Sequence, residues 1–303
     1  MTPEYRKAYL TYHLCVFLWG FTAVFGKIIH LNAIVLVWYR MGLTTLILAF
    51  FPGLISRLRK MDRKTILQLT GIGVLVTCHW ITFYGSVKEA NISVTLTCLA
   101  TTSFFVSIVE PVILRTKFIW YELLLGLIVI PAIYLIFHFS GDYTYGIILG
   151  LLSTFFATLF SVLNKKMVQR ADPSCITFTE IGAGFILLSL VVPLFLKAEP
   201  DVNLVPSYLD VLNLILFAAF CTVVPFTLSL RSMKHLSVFT ASITLNLEPV
   251  YGIIMAIVFF NEDATLSTGF YIGSCMILAV VFINPFIQQK FGALGKKPLN
   301  IGE

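Results

Sequence analysis

The sequence predicts an all-α integral membrane protein of ten transmembrane helices, arranged as two inverted five-helix repeats. Three observations carry that expectation. Over 303 residues the composition is 58% hydrophobic and only 12% charged, with a mean hydropathy of +0.92, far from the make-up of a soluble domain. Apolar runs of the ~20 residues needed to cross a ~30 Å hydrocarbon core recur from end to end. The second half of the chain also repeats landmarks of the first at a nearly constant offset.

The ten runs fall roughly at residues 9–29, 33–54, 66–87, 90–114, 119–139, 143–163, 174–196, 209–230, 236–260 and 266–287. The first follows Arg6 and Lys7, as the core of a signal peptide would. It continues to Lys27 without an A-x-A cleavage site, so it reads as a retained first span. Cys15, Cys78, Cys98, Cys175, Cys221 and Cys275 all lie inside the runs and none forms a CxxC pair. They read as small apolar residues, with no disulfide, metal or cofactor expected.

The net charge of +6 raises the question of a nucleic-acid partner, which the positions of the cations answer. With both termini in the cytoplasm, every lysine and arginine except Lys27, Lys88, Lys197 and Arg40 falls in a cytoplasmic segment. This is the positive-inside asymmetry of a multi-pass protein of the cytoplasmic (inner) membrane, and it requires an even number of spans. The surplus of positive charge is therefore topological. The expected partners are the lipid bilayer and a small-molecule substrate, with no nucleic acid.

Trp38-Tyr39-Arg40-Met41-Gly42 in span two lies over Phe178-Thr179-Glu180-Ile181-Gly182 in span seven, at an offset of 140. Ser86-Val87-Lys88 lies over Ser232-Met233-Lys234 at 146, and Gly126 over Gly273 at 147. The expected units are residues 1–140, residues 141–290 and a cytoplasmic tail, 291–303. Five spans is an odd number, so the second unit enters the membrane from the opposite side, the pattern of many secondary transporters.

Arg40 stands alone in the apolar run VWYRMGLTTLILAF (37–50). A permanent cation at membrane depth costs at least ~2.5 kcal/mol and is expected to face the bundle interior. Arg40 and its counterpart Glu180 each fall within roughly 5 Å of the bilayer midplane, on opposite sides of it. Both are expected to line a central cavity, Arg40 as an anchor for a carboxylate or phosphate, Glu180 as an amine anchor or proton carrier. The structural alternatives are a buried ion pair that only fixes the helices, or an arginine that snorkels to the headgroups. Glu248 precedes Pro249 near the middle of span nine, where the proline frees a backbone carbonyl and bends the helix. Ser237, Thr240, Thr244, Glu248 and Tyr251 share one face of that span, either as a pathway lining or as interhelical hydrogen bonds. Glu248 is the candidate proton carrier if transport is coupled to protons. His79 in span three could titrate near neutral pH and relay protons, or be a lone histidine hydrogen-bonded inside the bundle, and Trp19 with Thr22 and Tyr12 forms an aromatic-polar face on span one, either packing or a stacking surface for substrate. Asn164 and Asn246 read as helix-to-helix hydrogen bonds.

Several of these residues together resemble the EamA-type members of the drug/metabolite transporter superfamily. They are Trp19-Gly20 with Lys27 closing span one, Arg40, Ser86-Val87-Lys88, the run Ser242-Ile243-Thr244-Leu245-Asn246-Leu247-Glu248-Pro249-Val250, and Asn261-Glu262 where the family usually has Gly-Glu. The resemblance covers nearly the whole chain. Phe155-Phe156-Ala157 replaces a second tryptophan, and Ser103 stands where many members have proline. The resemblance implies a ten-helix carrier around a central cavity that moves small metabolites, often outward. Arg40 with Glu180 and Glu248 suits a zwitterion such as an amino acid or related compound, whereas a neutral or cationic metabolite needs only the two carboxylates. No HExxH, membrane aspartate pair or nucleotide-binding motif occurs, so neither catalysis nor ATP hydrolysis by this chain is expected. A channel would favour pore rings from several subunits, and a sensory or structural membrane protein is the remaining alternative.

Overall fold

The computed structural model describes residues 3–115, 117–118, 120, 124, 128, 131–132, 134–135, 143–236, 241, 244–245, 247–262 and 267–291. Among these there are helices and no strands: α1 (Pro3–Ile28), α2 (Ala33–Ala49), α3 (Leu54–Arg59), α4 (Arg63–Glu89), α5 (Ile92–Leu99), α6 (Thr102–Leu114), α7 (Thr144–Met167), α8 (Pro173–Ala198), α9 (Tyr208–Ser232), α10 (Leu247–Phe260) and α11 (Thr268–Phe291). Five of them, α1, α4, α7, α8 and α9, are each long and apolar enough to cross a membrane, and α5 with α6 makes a sixth span bent by 43°. Shorter apolar helices lie in α2, α10 and α11. The run expected at 119–139 lies largely outside the described residues, as do Gly126, Gly141 and the tail from 292.

Where the structure departs from the predicted spans, the local chemistry gives the reason. The second span ends at Ala49 rather than at 54, because Phe51-Pro52-Gly53 follows and Gly53 takes a left-handed φ of 70°. Span four breaks after Leu99. Thr101 and Thr102 turn their hydroxyls back onto the carbonyls of Cys98 and Leu99, the local bonding that competes with helix continuation.

The inverted repeat is visible in the helix caps. Asn32 caps α2 by accepting from the Ile34 N–H at 2.9 Å, and Asp172, its counterpart at the same offset of 140, caps α8 by accepting from the Ser174 N–H at 3.0 Å. Asp62 caps α4 and Ser207 caps α9, each accepting from the N–H three residues on. The Thr65 hydroxyl and N–H also hold the Asp62 carboxyl below the usual aspartate range. From Asp62/Ser207 to Ser86/Ser232 the offset grows from 145 to 146, so the stretch 207–232 contains one residue more than the stretch 62–86. That residue is absorbed by a single π-helical turn, Ala219–Val223, the form a one-residue insertion takes inside a helix.

The same symmetry governs packing. A β-carbon added to Gly42 would meet the Phe185 ring at 2.8 Å, and one added to Gly182 would meet Thr45 at 3.5 Å. Under the offset of 140 these two contacts are each other's images, so α2 and α8 pack about the pseudo-two-fold axis as an isologous pair. α4 and α8 approach closely at Gly73. A β-carbon on Gly73 would stand 2.3 Å from the Glu180 carbonyl oxygen. Gly73→Ala must therefore push two helices apart, at a cost of about 1–3 kcal/mol. The expected result is a clearly lowered Tm of the detergent-solubilised protein, and an unchanged Tm would contradict this contact.

The two ends of the bundle differ. At one end Arg57 pairs with Asp172 at 3.7 Å, Arg170 donates to Gln68 at 3.3 Å and Lys166 donates to the Ile113 carbonyl at 2.6 Å. This is the basic end. At the other end Asp210 accepts from the His30 N–H at 2.9 Å, Lys88 donates to the Ile29 carbonyl, and Lys27 pairs with Glu262 at 2.7 Å. Asn261, in the left-handed region at φ 50°, ends α10 and turns the chain so that Glu262 is buried beneath the N-terminus of α5.

Candidate functional site

A cavity of about 160 Å³ lies between the repeats, with walls from α1, α2, α4, α5, α6, α7, α9 and α10 and from Ala241 and Leu245. Arg40 enters it from α2 and is only 2% exposed. Its guanidinium carbon sits 3.7 Å from the Trp80 ring centre and 4.1 Å from that of Phe217, sandwiched between two aromatic faces in the geometry of a desolvated cation–π contact. Nε donates to Thr222 Oγ1 at 2.9 Å, Nη1 to the Tyr84 hydroxyl, and Nη2 to the Cys221 carbonyl at 3.4 Å.

Two of these three acceptors come from the π-helical turn of α9. Pro225 has no N–H, and in a regular helix the carbonyl it would leave without a donor is that of Cys221. The extra residue and the proline thus turn backbone and side-chain acceptors toward Arg40. A guanidinium carries five N–H groups, so two remain after these bonds. The planar group is fixed in direction and keeps donor capacity for a ligand.

The other walls carry further polar groups. Glu248 lines the cavity at 9% exposure. Among the described residues it accepts no hydrogen bond and forms no salt bridge with Arg40. His79 lines the cavity with Nδ1 held by Ser153, at 2.8 Å from its hydroxyl and 3.0 Å from its carbonyl. A carbonyl only accepts, so Nδ1 bears the proton and neutral His79 presents Nε2 as an acceptor. Trp19 packs edge-on to Phe226 at 5.9 Å, and its indole N–H is buried without a partner.

Arg40, Glu248, His79 and Trp19 with its face partners Thr22 and Tyr12 therefore share one cavity, and Glu180, Thr244 and Tyr251 do not line it. Glu180 is fully buried behind the wall. Its Oε2 accepts from Asn164 Nδ2 at 3.1 Å, and no bond joins it to Arg40. The expected Arg40–Glu180 ion pair is replaced by neutral acceptors on one side and an amide donor on the other. Arg40 is met by α9 of the opposite repeat, which carries the π turn, whereas the Glu180 carboxyl is met by α7 of its own repeat. Thr244 is buried and Tyr251 packs against Phe17 at 5.6 Å, both outside the lining. Ser237, Thr240 and Asn246 fall outside the described residues.

Sequence reasoning missed Trp80, Tyr84 and Phe226, the aromatic shell of the site. The stretch His79-Trp80-Ile81-Thr82-Phe83-Tyr84 held the signal, since Trp80 and Tyr84 are four residues apart and share a helix face. Asn164 makes the expected helix-to-helix hydrogen bond, to Glu180, but its place in the cavity lining and the pairing of Lys27 with Glu262 were not foreseen. Among the described residues no group of three or more His, Cys, Asp or Glu side chains is placed to hold a metal ion.

Comparison with known proteins agrees with this architecture. A protein of Archaeoglobus fulgidus described as an uncharacterized transporter is 33% identical over 159 residues, 52% of this chain and 53% of its own length. The chain thus spans about half the length of that curated relative. A solved crystal structure superposes with a TM-score of 0.67 over 94% of this chain and 99% of its own, at 13% identity, a likeness of fold alone. The EamA-like transporter family matches residues 6–138 and 144–284, one segment for each repeat. On that coverage, this multi-pass membrane protein belongs to the EamA-like transporter family.

Proposed function

We propose that this chain is a secondary transporter that moves a small amino-acid-like zwitterion outward across the cytoplasmic membrane by alternating access. One observation carries the reading. A guanidinium and a carboxylate face the same small cavity from different repeats without forming a salt bridge. Opposite charges held apart in a low-dielectric interior lose the stabilisation of pairing, and a ligand bearing both charges restores it. A volume of about 160 Å³ is below the ~300 Å³ at which pockets for drug-sized ligands begin, which suits a small metabolite.

The shape supports alternation. The lining reaches Asn164 and Met233, both near the basic end, while the Lys27–Glu262 end is closed. With the basic end inside, as the charge asymmetry requires, this is the inward-facing member of a pair of states related by exchange of the two repeats.

The test is flux in proteoliposomes loaded with individual radiolabelled amino acids. Wild-type protein is expected to carry at least one of them. Glu248→Gln then separates the two roles open to that carboxylate. If Glu248 carries a proton, pH-driven accumulation is lost while substrate-for-substrate exchange survives, because exchange needs no net proton movement. If it anchors an ammonium, both assays fail together. Full pH-driven transport by the variant would remove Glu248 from the working site.

A further inference from the structure

We infer that Asn164 is the hydrogen-bond acceptor for a substrate N–H or O–H group, and that buried Glu180 is the positioning residue that aims it. The inference rests on the reading of the cavity as a transport site. Asn164 is 4% exposed and lines the cavity. Its Nδ2 donates to Glu180 Oε2 at 3.1 Å, and its Oδ1 is buried with no hydrogen-bond partner.

The amide group is planar, and its oxygen and nitrogen diverge from one carbon. Glu180 does not line the cavity, so the nitrogen turned toward it directs the oxygen the other way, toward the cavity side of α7. Ala157, Phe160 and Ser161 line the cavity from the same helix, at the three- and four-residue spacings that share a face with Asn164. A buried acceptor without a donor is destabilising. A ligand donor arriving in the cavity relieves that deficit, and water cannot do so once a ligand fills the space.

Glu180 suits the positioning role for three reasons. It is fully buried, so it does not meet the ligand. Its backbone is clamped against Gly73, so its carboxyl is presented from a fixed point. As a carboxyl acceptor it selects the amide rotamer that sends nitrogen inward and oxygen outward. The pseudo-symmetry completes the picture. At equivalent positions the first repeat places Arg40, which meets the cavity directly, and the second places Glu180, which reaches it through Asn164.

The experiment uses the full chain in proteoliposomes, with each of the twenty proteinogenic amino acids as a separate probe, and the best-carried one for kinetics. Asn164→Leu, similar in shape but unable to accept, is expected to raise KM about tenfold, the loss of one hydrogen bond, with kcat within about twofold. Glu180→Met should give the same rise, because the amide is then free to turn. Glu180→Gln should restore near-wild-type KM, since the glutamine oxygen still accepts from Asn164 Nδ2. The double variant Asn164→Leu/Glu180→Met should be no worse than either single one. If the leucine variant does not accumulate, Asn164→Ser, too short to span from Glu180 to the cavity, reads the same KM rise.

A wild-type KM for the Asn164 variants would overturn the inference. So would multiplying effects in the double variant, which would show that Glu180 acts without Asn164. Both results require that wild type carries an amino acid. If wild type carries none of the twenty, the reading of the cavity as an amino-acid site falls, and this inference with it.

Discussion

Replacing Arg40 with lysine is expected to weaken transport by roughly 30-fold in KM, a loss of about 2 kcal/mol in ligand binding, while leaving a folded protein. Lysine keeps the charge and three donors but loses the plane. The guanidinium is stacked between Trp80 and Phe217 and donates in three directions, to Thr222, Tyr84 and the Cys221 carbonyl. A flexible ammonium cannot satisfy three divergent acceptors and still present a two-pronged face to a carboxylate. Arg40→Ala removes the cation from the aromatic sandwich and leaves buried acceptors without donors, so transport should be abolished. The measurement is KM and kcat in proteoliposomes, with circular dichroism and gel filtration to establish folding. If Arg40→Lys transports with wild-type KM, the arginine serves only as a counter-charge. If Arg40→Ala does so, the arginine lies outside the working site. Thr222→Val provides the intermediate case, since it deletes one acceptor of the π turn and leaves the charge in place.

The fold was legible in the sequence because membrane burial imposes long apolar runs, and because the two halves share landmarks at a fixed offset. Arg40, Glu248, Trp19 and His79 were legible as candidates for a related reason: polar or aromatic groups at membrane depth are costly and stand out. Glu180 stood out equally, yet it lies behind the cavity wall. Periodicity assigns a residue to a helix face but does not say which helix covers that face. The π turn at Ala219–Val223 was beyond reach for a similar reason. Its only trace in the sequence is a one-residue drift of the repeat offset within span eight, and that drift has a meaning only once both N-caps are known. Asn164 was legible as a residue but not as a site, because its importance lies in the oxygen left over after its nitrogen is engaged.

Removing the carboxylate of Glu262 is expected to be the most destabilising single change at the closed end of the bundle. Among the described residues, donors that converge on it include Lys27 Nζ at 2.7 Å, the Ser93 hydroxyl at 2.7 Å, and the backbone N–H groups of Ser93 at 3.0 Å and Ile92 at 3.2 Å. The last two belong to the first turn of α5, where helix N–H groups have no partner of their own and favour negative charge. Asn91 supplies a second cap to the same turn through the Val94 N–H at 2.8 Å. A side chain from the second repeat therefore caps a broken span of the first and binds α1 to it through Lys27. Glu262 is buried whereas Lys27 is about one-third exposed, so the helix-capping bonds outweigh the ion pair, which solvent partly screens. From this ordering Glu262→Ala should cost about 3 kcal/mol or more, enough to lower Tm sharply or prevent accumulation in the membrane. Glu262→Gln retains one oxygen for the α5 N–H groups and should lose less. Lys27→Met, which removes only the screened partner, should lose least. The order is read from Tm in detergent, each variant compared with wild type under the same conditions. If Lys27→Met proves as damaging as Glu262→Ala, the ion pair dominates and the capping argument is wrong.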